Sequence, residues 1–163
     1  MFFAQASFDE VYAAPGELTV PIYLRWALLF EDPEERTLWL FKALPREWLN
    51  DGEEVAIAGA PTRFGNLSLS LQSHLAICTV DANVSLPTAW SSDPSELPPG
   101  GVVLRLRAPA PHTGKLQGVT VGGVAWPAAQ IDAAAETVSF TTKDFTPTTI
   151  AGMETIVATF AGC

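Results

Sequence analysis

The sequence is poor in the residues that build catalytic and metal sites. Its 163 residues include two histidines and two cysteines, and none of them lies at zinc-ligand spacing, which excludes a structural zinc site. It has neither a glycine-rich phosphate loop before a helix nor a serine nucleophile elbow. Charged residues make up only 17% of the chain, yet no apolar run is long enough to span a bilayer. The sequence therefore predicts no catalytic residue and no cofactor.

Acidic residues outnumber basic ones by eighteen to nine, which gives a formal net charge of −9. Such a chain is repelled by phosphate backbones and by anionic membranes, so we expect neither nucleic acid nor membrane as a partner. Cys78 lies in a strand pattern and Cys163 is the last residue. Shielded thiols are expected, and their pairing stays open. The start of the chain does not resemble a signal peptide, so the compartment is unknown and the cytoplasm is the default expectation.

What the sequence does contain is apolar residues and turn formers. Hydrophobic residues reach 48%, with thirteen prolines and twelve glycines, which is typical of many short elements joined by turns. Residues 1–20 are predicted to be an N-terminal helical or extended segment, with a short helix over Gln5–Tyr12. Residues 21–163 are predicted to form one all-β domain, an antiparallel β-sandwich.

The strand predictions come from apolar runs and from alternation with period two. Leu24–Phe30 and Leu38–Phe41 flank a polar connection and predict a β-hairpin, with a helix over Leu24–Leu29 as the alternative. Pro45–Leu49 predicts one helical turn. Further strands are predicted at residues 55–58, 67–72, 75–81, 102–106, 116–121, 124–126, 137–140 and 154–160. Gly122-Gly123 is a two-residue hairpin signal.

Two tryptophans are candidates for carbohydrate binding, because a flat indole face matches the apolar face of a pyranose ring. Trp90 lies in a polar loop beside two serines, and Trp126 ends a hairpin strand. Packing over the edge of the sandwich is the alternative for both. Trp39 and Trp48 lie in apolar surroundings and are predicted to be in the core. His112 is predicted to be exposed in a turn.

Two clusters of acidic residues lie in predicted loops. A solvated turn is one interpretation, and a calcium site is another, because calcium takes several oxygen ligands from a loop. A catalytic carboxylate pair is a third, although nothing apolar surrounds these acids to raise a pKa. The candidate residues are Glu31, Asp32, Glu34, Glu35, Asp51, Glu53 and Glu54.

Five short motifs stand out between Leu24 and Phe140. They are Leu38-Trp39-Leu40, Pro45-Arg46-Glu47-Trp48-Leu49-Asn50-Asp51-Gly52, Ala60-Pro61-Thr62-Arg63-Phe64-Gly65, Val103-Leu104-Arg105-Leu106-Arg107 and Val119-Thr120-Val121-Gly122-Gly123. Together they resemble the C-terminal β-sandwich that follows an (α/α) barrel in glycoside hydrolase-like proteins of the six-hairpin kind. The late hairpin departs from that pattern, because Gly122-Gly123 stands where the pattern has Asn-Gly.

The resemblance implies a non-catalytic accessory domain that stabilises or borders a catalytic barrel. The catalytic carboxylates of such proteins belong to the barrel, and no position of this sequence matches one of them. A barrel, a second copy of the chain and carbohydrate are the partners that the sequence leaves open. A carbohydrate-binding module that uses exposed tryptophans is the alternative function.

Overall fold

The structure is a computed structural model that describes residues 17, 19–147, 149–150 and 152–162. These residues form eleven β-strands, five short 3₁₀ turns and one helix, α1, over residues 19–28. The strands make two sheets of five and six strands. The predicted class, an all-β sandwich with a short N-terminal helix, is confirmed. The helix predicted over Gln5–Tyr12 lies outside the described residues.

The strands pair almost entirely antiparallel. In chain order they are β1 (Leu29–Glu31), β2 (Leu38–Leu40), β3 (Glu54–Thr62), β4 (Gly65–His74), β5 (Thr79–Ser85), β6 (Val102–Arg105), β7 (Leu116–Val121), β8 (Val124–Ala125), β9 (Ile131–Asp132), β10 (Thr137–Phe140) and β11 (Met153–Phe160). The smaller sheet has the order β1-β2-β6-β10-β9, and the larger has the order β3-β4-β5-β11-β7-β8. The pairing of β2 with β6 is parallel.

Alternation along the central strands places apolar side chains between the two sheets. On β4, Leu67, Leu69 and Leu71 are buried while the serines between them are only half-buried. Each such leucine contributes roughly 1.5–3 kcal/mol of burial free energy. A cavity of about 20 Å³ that touches Leu40 and Phe140 has room for about one water molecule. This cavity between the sheets is therefore too small for a ligand.

The first hairpin is confirmed, with a shorter first strand than expected. Leu29 pairs with Leu40 and Glu31 pairs with Leu38. Residues 24–28 are helical rather than extended, because apolar runs of this length fit either structure and periodicity does not separate them. The predicted turn at Pro45–Leu49 is confirmed as a 3₁₀ turn over Arg46–Leu49.

Two turns show where local sequence rules succeed and where they fail. Gly122 and Gly123 adopt φ values of 56° and 79° and join Val121 to its partner Val124, so the predicted hairpin is confirmed. The strand predicted from residue 75 is wrong over Leu75–Ile77, which form a 3₁₀ turn. Cys78 then adopts a left-handed conformation with φ of 55° before β5 begins.

Within the described residues, no helix combines the length and the apolar character needed to cross a bilayer.

Candidate functional site

Trp90 is buried, so the expectation that it offers an exposed face to a sugar is wrong. Its side chain is 1% exposed and packs edge-on against Phe145 with a centroid distance of 5.4 Å. The indole N–H donates to the Phe64 carbonyl at 2.7 Å. The polar neighbours that suggest exposure, Ser91 and Ser92, donate their hydroxyls to carbonyls of the same turn. Their polarity is satisfied locally while the tryptophan fills the core.

Trp126 is half-buried against the smaller sheet. Its ring lies 5.1 Å from that of Phe140, and its indole N–H donates to the Ser139 carbonyl at 3.2 Å. It also borders an open pocket of about 250 Å³ together with Val124 and Pro127. Trp126 therefore does both things that the sequence leaves open, since it packs on the sandwich and lines a surface pocket.

Asp32 of the first acidic cluster caps the loop that contains it, whereas Glu31 ends β1 and pairs with arginines from other segments. Asp32 accepts hydrogen bonds from the backbone N–H groups of Glu34 and Glu35 at 3.0 and 3.1 Å, and these bonds lower the pKa of Asp32. Glu31 accepts from Arg63 Nε at 2.8 Å and lies 3.4 Å from Arg25 Nη2. Both of these carboxylates are therefore already engaged.

Glu31 predicts a pH dependence of stability. Burial raises its pKa, but the hydrogen bonds from Arg63 and the charges of Arg63 and Arg25 outweigh burial and leave the pKa lowered. A lowered pKa in the folded state stabilises the fold above the unfolded-state pKa, and this contribution is lost as the pH falls through the folded value. Urea unfolding should therefore show Glu31→Gln to be less stable than wild type by up to about 1 kcal/mol at pH 7, with a smaller difference at pH 3.

The matched control for this measurement is Glu34→Gln, an exposed acid in the same turn. It should leave the pH dependence of stability close to that of wild type. A Glu31→Gln variant whose stability differs from wild type by the same amount at both pH values would contradict the assignment.

The residues of the second acidic cluster, Asp51, Glu53 and Glu54, have different surroundings. Asp51 accepts from the backbone N–H of Leu75 at 2.6 Å, whereas Glu53 and Glu54 are exposed. Among the described residues, no three His, Cys, Asp or Glu side chains gather closely enough to hold a metal ion. The calcium candidates are thus spread over separate local roles.

Trp48 is the exposed tryptophan that sequence reasoning misses. Its apolar surroundings predict a core position beside Leu49, yet Leu49 is fully buried while Trp48 is 41% exposed. Successive residues of a 3₁₀ turn lie about 120° apart, so these neighbours do not share one face. Trp48 borders an open pocket of about 480 Å³, whose other lining residues are Glu47, Asn50, Glu53, Glu54, Val55 and Ala56.

The outer face of the larger sheet adjoins this pocket and is rich in hydroxyl and amide groups. Ala56 lines both the Trp48 pocket and a shallow groove of about 280 Å³ on the sheet. Strand register places Ala56 opposite Ser70, Ser70 opposite Asn83, and Asn83 opposite Thr155. The Thr155 hydroxyl donates to Asn83 Oδ1 at 2.9 Å. We call these four residues the cross-strand row.

Three arginines gather around one buried carboxylate near the end of β6. Glu136 is fully buried, lies 2.5 Å from Arg46 Nη2 and accepts from the Gly114 N–H at 2.7 Å. Arg105 and Arg107 donate to the carbonyls of Lys42 and Leu44. Burial and the charges of Arg46 and Arg105 lower the pKa of Arg107.

The cluster ties the segment between β2 and the 3₁₀ turn at Arg46–Leu49 to the neighbouring strand. Each of the three guanidinium groups donates to a backbone carbonyl, including Arg46 to Ala108. Arg105 and Arg107 thus have a structural role.

His112 and Cys78 lie together in the interior. His112 is 6% exposed, so the prediction of an exposed turn histidine is wrong. Its Nδ1 lies 3.6 Å from Cys78 Sγ and 3.2 Å from the Ala161 carbonyl. Cys78 is disulfide-bonded, which corrects the expectation of a shielded thiol.

Helix α1 exposes several large apolar side chains. They are 45–61% accessible and are Val20, Ile22, Tyr23, Leu24 and Trp26. Arg25 anchors the helix to the sandwich, because it donates to the carbonyls of Leu29 and Pro61. Tyr23, Trp26 and Phe30 form a chain of edge-to-face aromatic contacts.

No protein-family model matches this chain, and no curated protein is significantly similar to it.

Proposed function

We propose that this chain is a non-catalytic accessory β-sandwich of a carbohydrate-active, glycoside hydrolase-like protein, and that it packs against a catalytic (α/α) barrel through α1. The observation that carries the proposal is the exposed apolar surface of α1. In the proteins that the sequence resembles, the barrel precedes the sandwich in the chain. Helix α1 also precedes the sandwich, immediately before β1.

The surface of α1 is unfavourable to leave in water. A cluster of exposed large apolar side chains commonly marks a protein interaction site. Large aromatic and aliphatic side chains such as Tyr23, Trp26 and Leu24 are typical of the buried centre of an interface. Because Arg25 fixes the base of α1 to the sandwich, a partner meets a surface that is already ordered. This arrangement lowers the entropic cost of binding.

The test measures binding to a barrel directly. Catalytic barrels of six-hairpin glycoside hydrolases, expressed without their own sandwich domains, are immobilised and titrated with the full chain by biolayer interferometry. We expect at least one barrel to bind, and Trp26→Asp to weaken that binding about tenfold or more, since a charge would be placed in an apolar interface. Trp48→Asp is the matched control, because Trp48 is similarly exposed but belongs to the 3₁₀ turn at Arg46–Leu49 rather than to α1.

Three results would contradict the docking proposal. The first is the absence of binding to every barrel in the panel. The second is an equal loss of binding in Trp26→Asp and Trp48→Asp. The third is a dimer, measured by light scattering, that Trp26→Asp converts to a monomer, because a second copy would then be the occupant of α1.

Direct sugar recognition is the second candidate function. With Trp90 buried, the observation that favours it is the exposed Trp48 beside an open pocket. The cytoplasmic location expected from the start of the sequence stays a prediction.

A further inference from the structure

We infer that the Trp48 pocket and the cross-strand row form one binding site for a neutral, linear glycan that runs across the strands of the larger sheet. The inference deepens the second candidate function and rests on it for the class of ligand. It is independent of docking through α1, which lies in a different part of the chain.

The Trp48 pocket and the groove on the sheet adjoin each other at Ala56. Trp48 and Ala56 line the same pocket, and Ala56 also lines the groove. Ala56 is exposed and small, so its own side chain is a low barrier between the pocket and the groove. A ligand whose end lies on Trp48 would therefore reach the outer face of β4 and β5 over Ala56.

The spacing of the cross-strand row matches that of a sugar chain. Adjacent strands lie about 4.8 Å apart, which is close to the length of one pyranose unit in a β-1,4-linked chain. From Ser70 through Asn83 to Thr155, the row crosses three neighbouring strands. A glycan that follows the row from Ser70 to Thr155 thus meets one hydroxyl or amide group for each sugar unit. Such groups both donate and accept hydrogen bonds, as sugar hydroxyls do.

The charges around the site favour a neutral ligand. Every member of the cross-strand row is uncharged, whereas three carboxylates, Glu47, Glu53 and Glu54, surround Trp48. The chain as a whole carries a formal net charge of −9. Uronate or sulfated glycans would be repelled at the entrance to the site, while the carboxylates accept hydrogen bonds from neutral sugar hydroxyls. The charge pattern therefore selects a neutral glycan.

Trp48 differs from Trp126 and Trp26 in what lies beside it. Trp126 is half-buried, and its indole N–H is used by Ser139. Trp26 is 47% exposed but belongs to α1, where aromatic neighbours occupy its edges. Of these three tryptophans, only Trp48 lines a pocket that shares a lining residue, Ala56, with the groove.

The experiment is calorimetric titration of the full chain with β-1,4-linked oligomers of glucose, xylose and mannose, each from two to six units long. At least one series should bind, with affinity rising about tenfold from the disaccharide to the tetrasaccharide. Trp48→Ala should lower the affinity for the tetrasaccharide about tenfold, as expected for losing one aromatic platform. Asn83→Ala should lower it about three- to tenfold, as expected for losing hydrogen bonds of the row.

Matched variants make the outcome decisive. Trp26→Ala and Trp126→Ala should keep wild-type affinity, and oligogalacturonate should bind more weakly than the neutral oligomers. Asn83→Ala changes an exposed side chain and preserves the fold, so it tests the row even where Trp48→Ala is poorly folded by circular dichroism.

Several results would overturn the inference. They are the absence of binding by all three neutral series at millimolar concentration, an affinity that does not depend on length, tighter binding of oligogalacturonate, and a loss in Trp126→Ala that equals or exceeds the loss in Trp48→Ala. Because the barrel assay contains no sugar and its test variant, Trp26→Asp, lies in α1, failure of the glycan site and failure of the docking proposal give separate readings.

Discussion

Replacing Trp90 with alanine is expected to lower the free energy of unfolding by about 3–5 kcal/mol. The ring is almost completely buried, packs on Phe145 and donates its N–H to the Phe64 carbonyl. Alanine would leave a large cavity and an unsatisfied carbonyl between the sheets. Urea unfolding followed by circular dichroism measures the change as a lower midpoint with a similar slope.

Trp48→Ala is the control for this prediction. Because Trp48 is 41% exposed, its replacement should cost about 1 kcal/mol or less. If Trp48→Ala lowers the free energy of unfolding more than Trp90→Ala does, the burial assigned to these two tryptophans is wrong. The two variants also separate effects on stability from effects on binding, since only Trp48 is proposed to contact sugar.

Glu136→Ala is expected to destabilise the fold by a similar amount, about 3–5 kcal/mol. Glu136 is fully buried and is paired with Arg46 at 2.5 Å. Its removal would leave the Arg46 guanidinium, which is 23% exposed, without its counterion. It would also leave the Gly114 N–H without an acceptor. Thermal and urea unfolding measure the loss.

A double-mutant cycle tests whether the ion pair is responsible. Arg46→Ala combined with Glu136→Ala should cost less than the sum of the single changes, by about 1 kcal/mol or more. Glu96→Ala, an exposed loop acid, should change stability by about 0.5 kcal/mol or less. Strict additivity of the two single changes would refute coupling through this pair.

The two-layer architecture could be predicted because packing between two sheets imposes an alternation of apolar and polar residues that is visible within each strand. A strand with one face in the core must repeat every second residue, and Leu67, Leu69 and Leu71 do so. The hairpin at Gly122-Gly123 is equally accessible to prediction, since few residue pairs adopt two positive φ values in succession. The order of the strands within each sheet is a property of distant contacts and leaves no comparable local signal.

The exchange of roles between Trp48 and Trp90 shows why the candidate site is harder to predict. Sequence context places Trp90 in a polar loop and Trp48 in an apolar turn. Both predictions infer the exposure of the side chain from the polarity of its sequence neighbours. Within a 3₁₀ turn, however, adjacent residues face different directions. Leu49 occupies the core position of its turn. Only the packing of the turn on the sandwich decides which residue is covered.

The acidic clusters illustrate a different limit. The structure places Glu31 at the end of β1 and Glu54 at the start of β3 rather than in loops, although these carboxylates do lie outside the core. The roles of Glu31 and Asp51 depend on partners far away in sequence. Glu31 pairs with Arg63, which follows it by 32 residues. Asp51 accepts from the backbone of Leu75, 24 residues further on. Long-range contacts of this kind carry no pattern within either loop.

The central position of β11 has a consequence for how the chain is assembled. This strand lies between β5 and β7 and supplies the hydrogen bonds that unite the two parts of the larger sheet. During synthesis, β3, β4 and β5 leave the ribosome well before residues 153–160. Until β11 arrives, the inner edges of β5 and β7 have no permanent neighbour, and open strand edges invite pairing with other chains. Completion of the sheet is therefore a late event that must compete with aggregation.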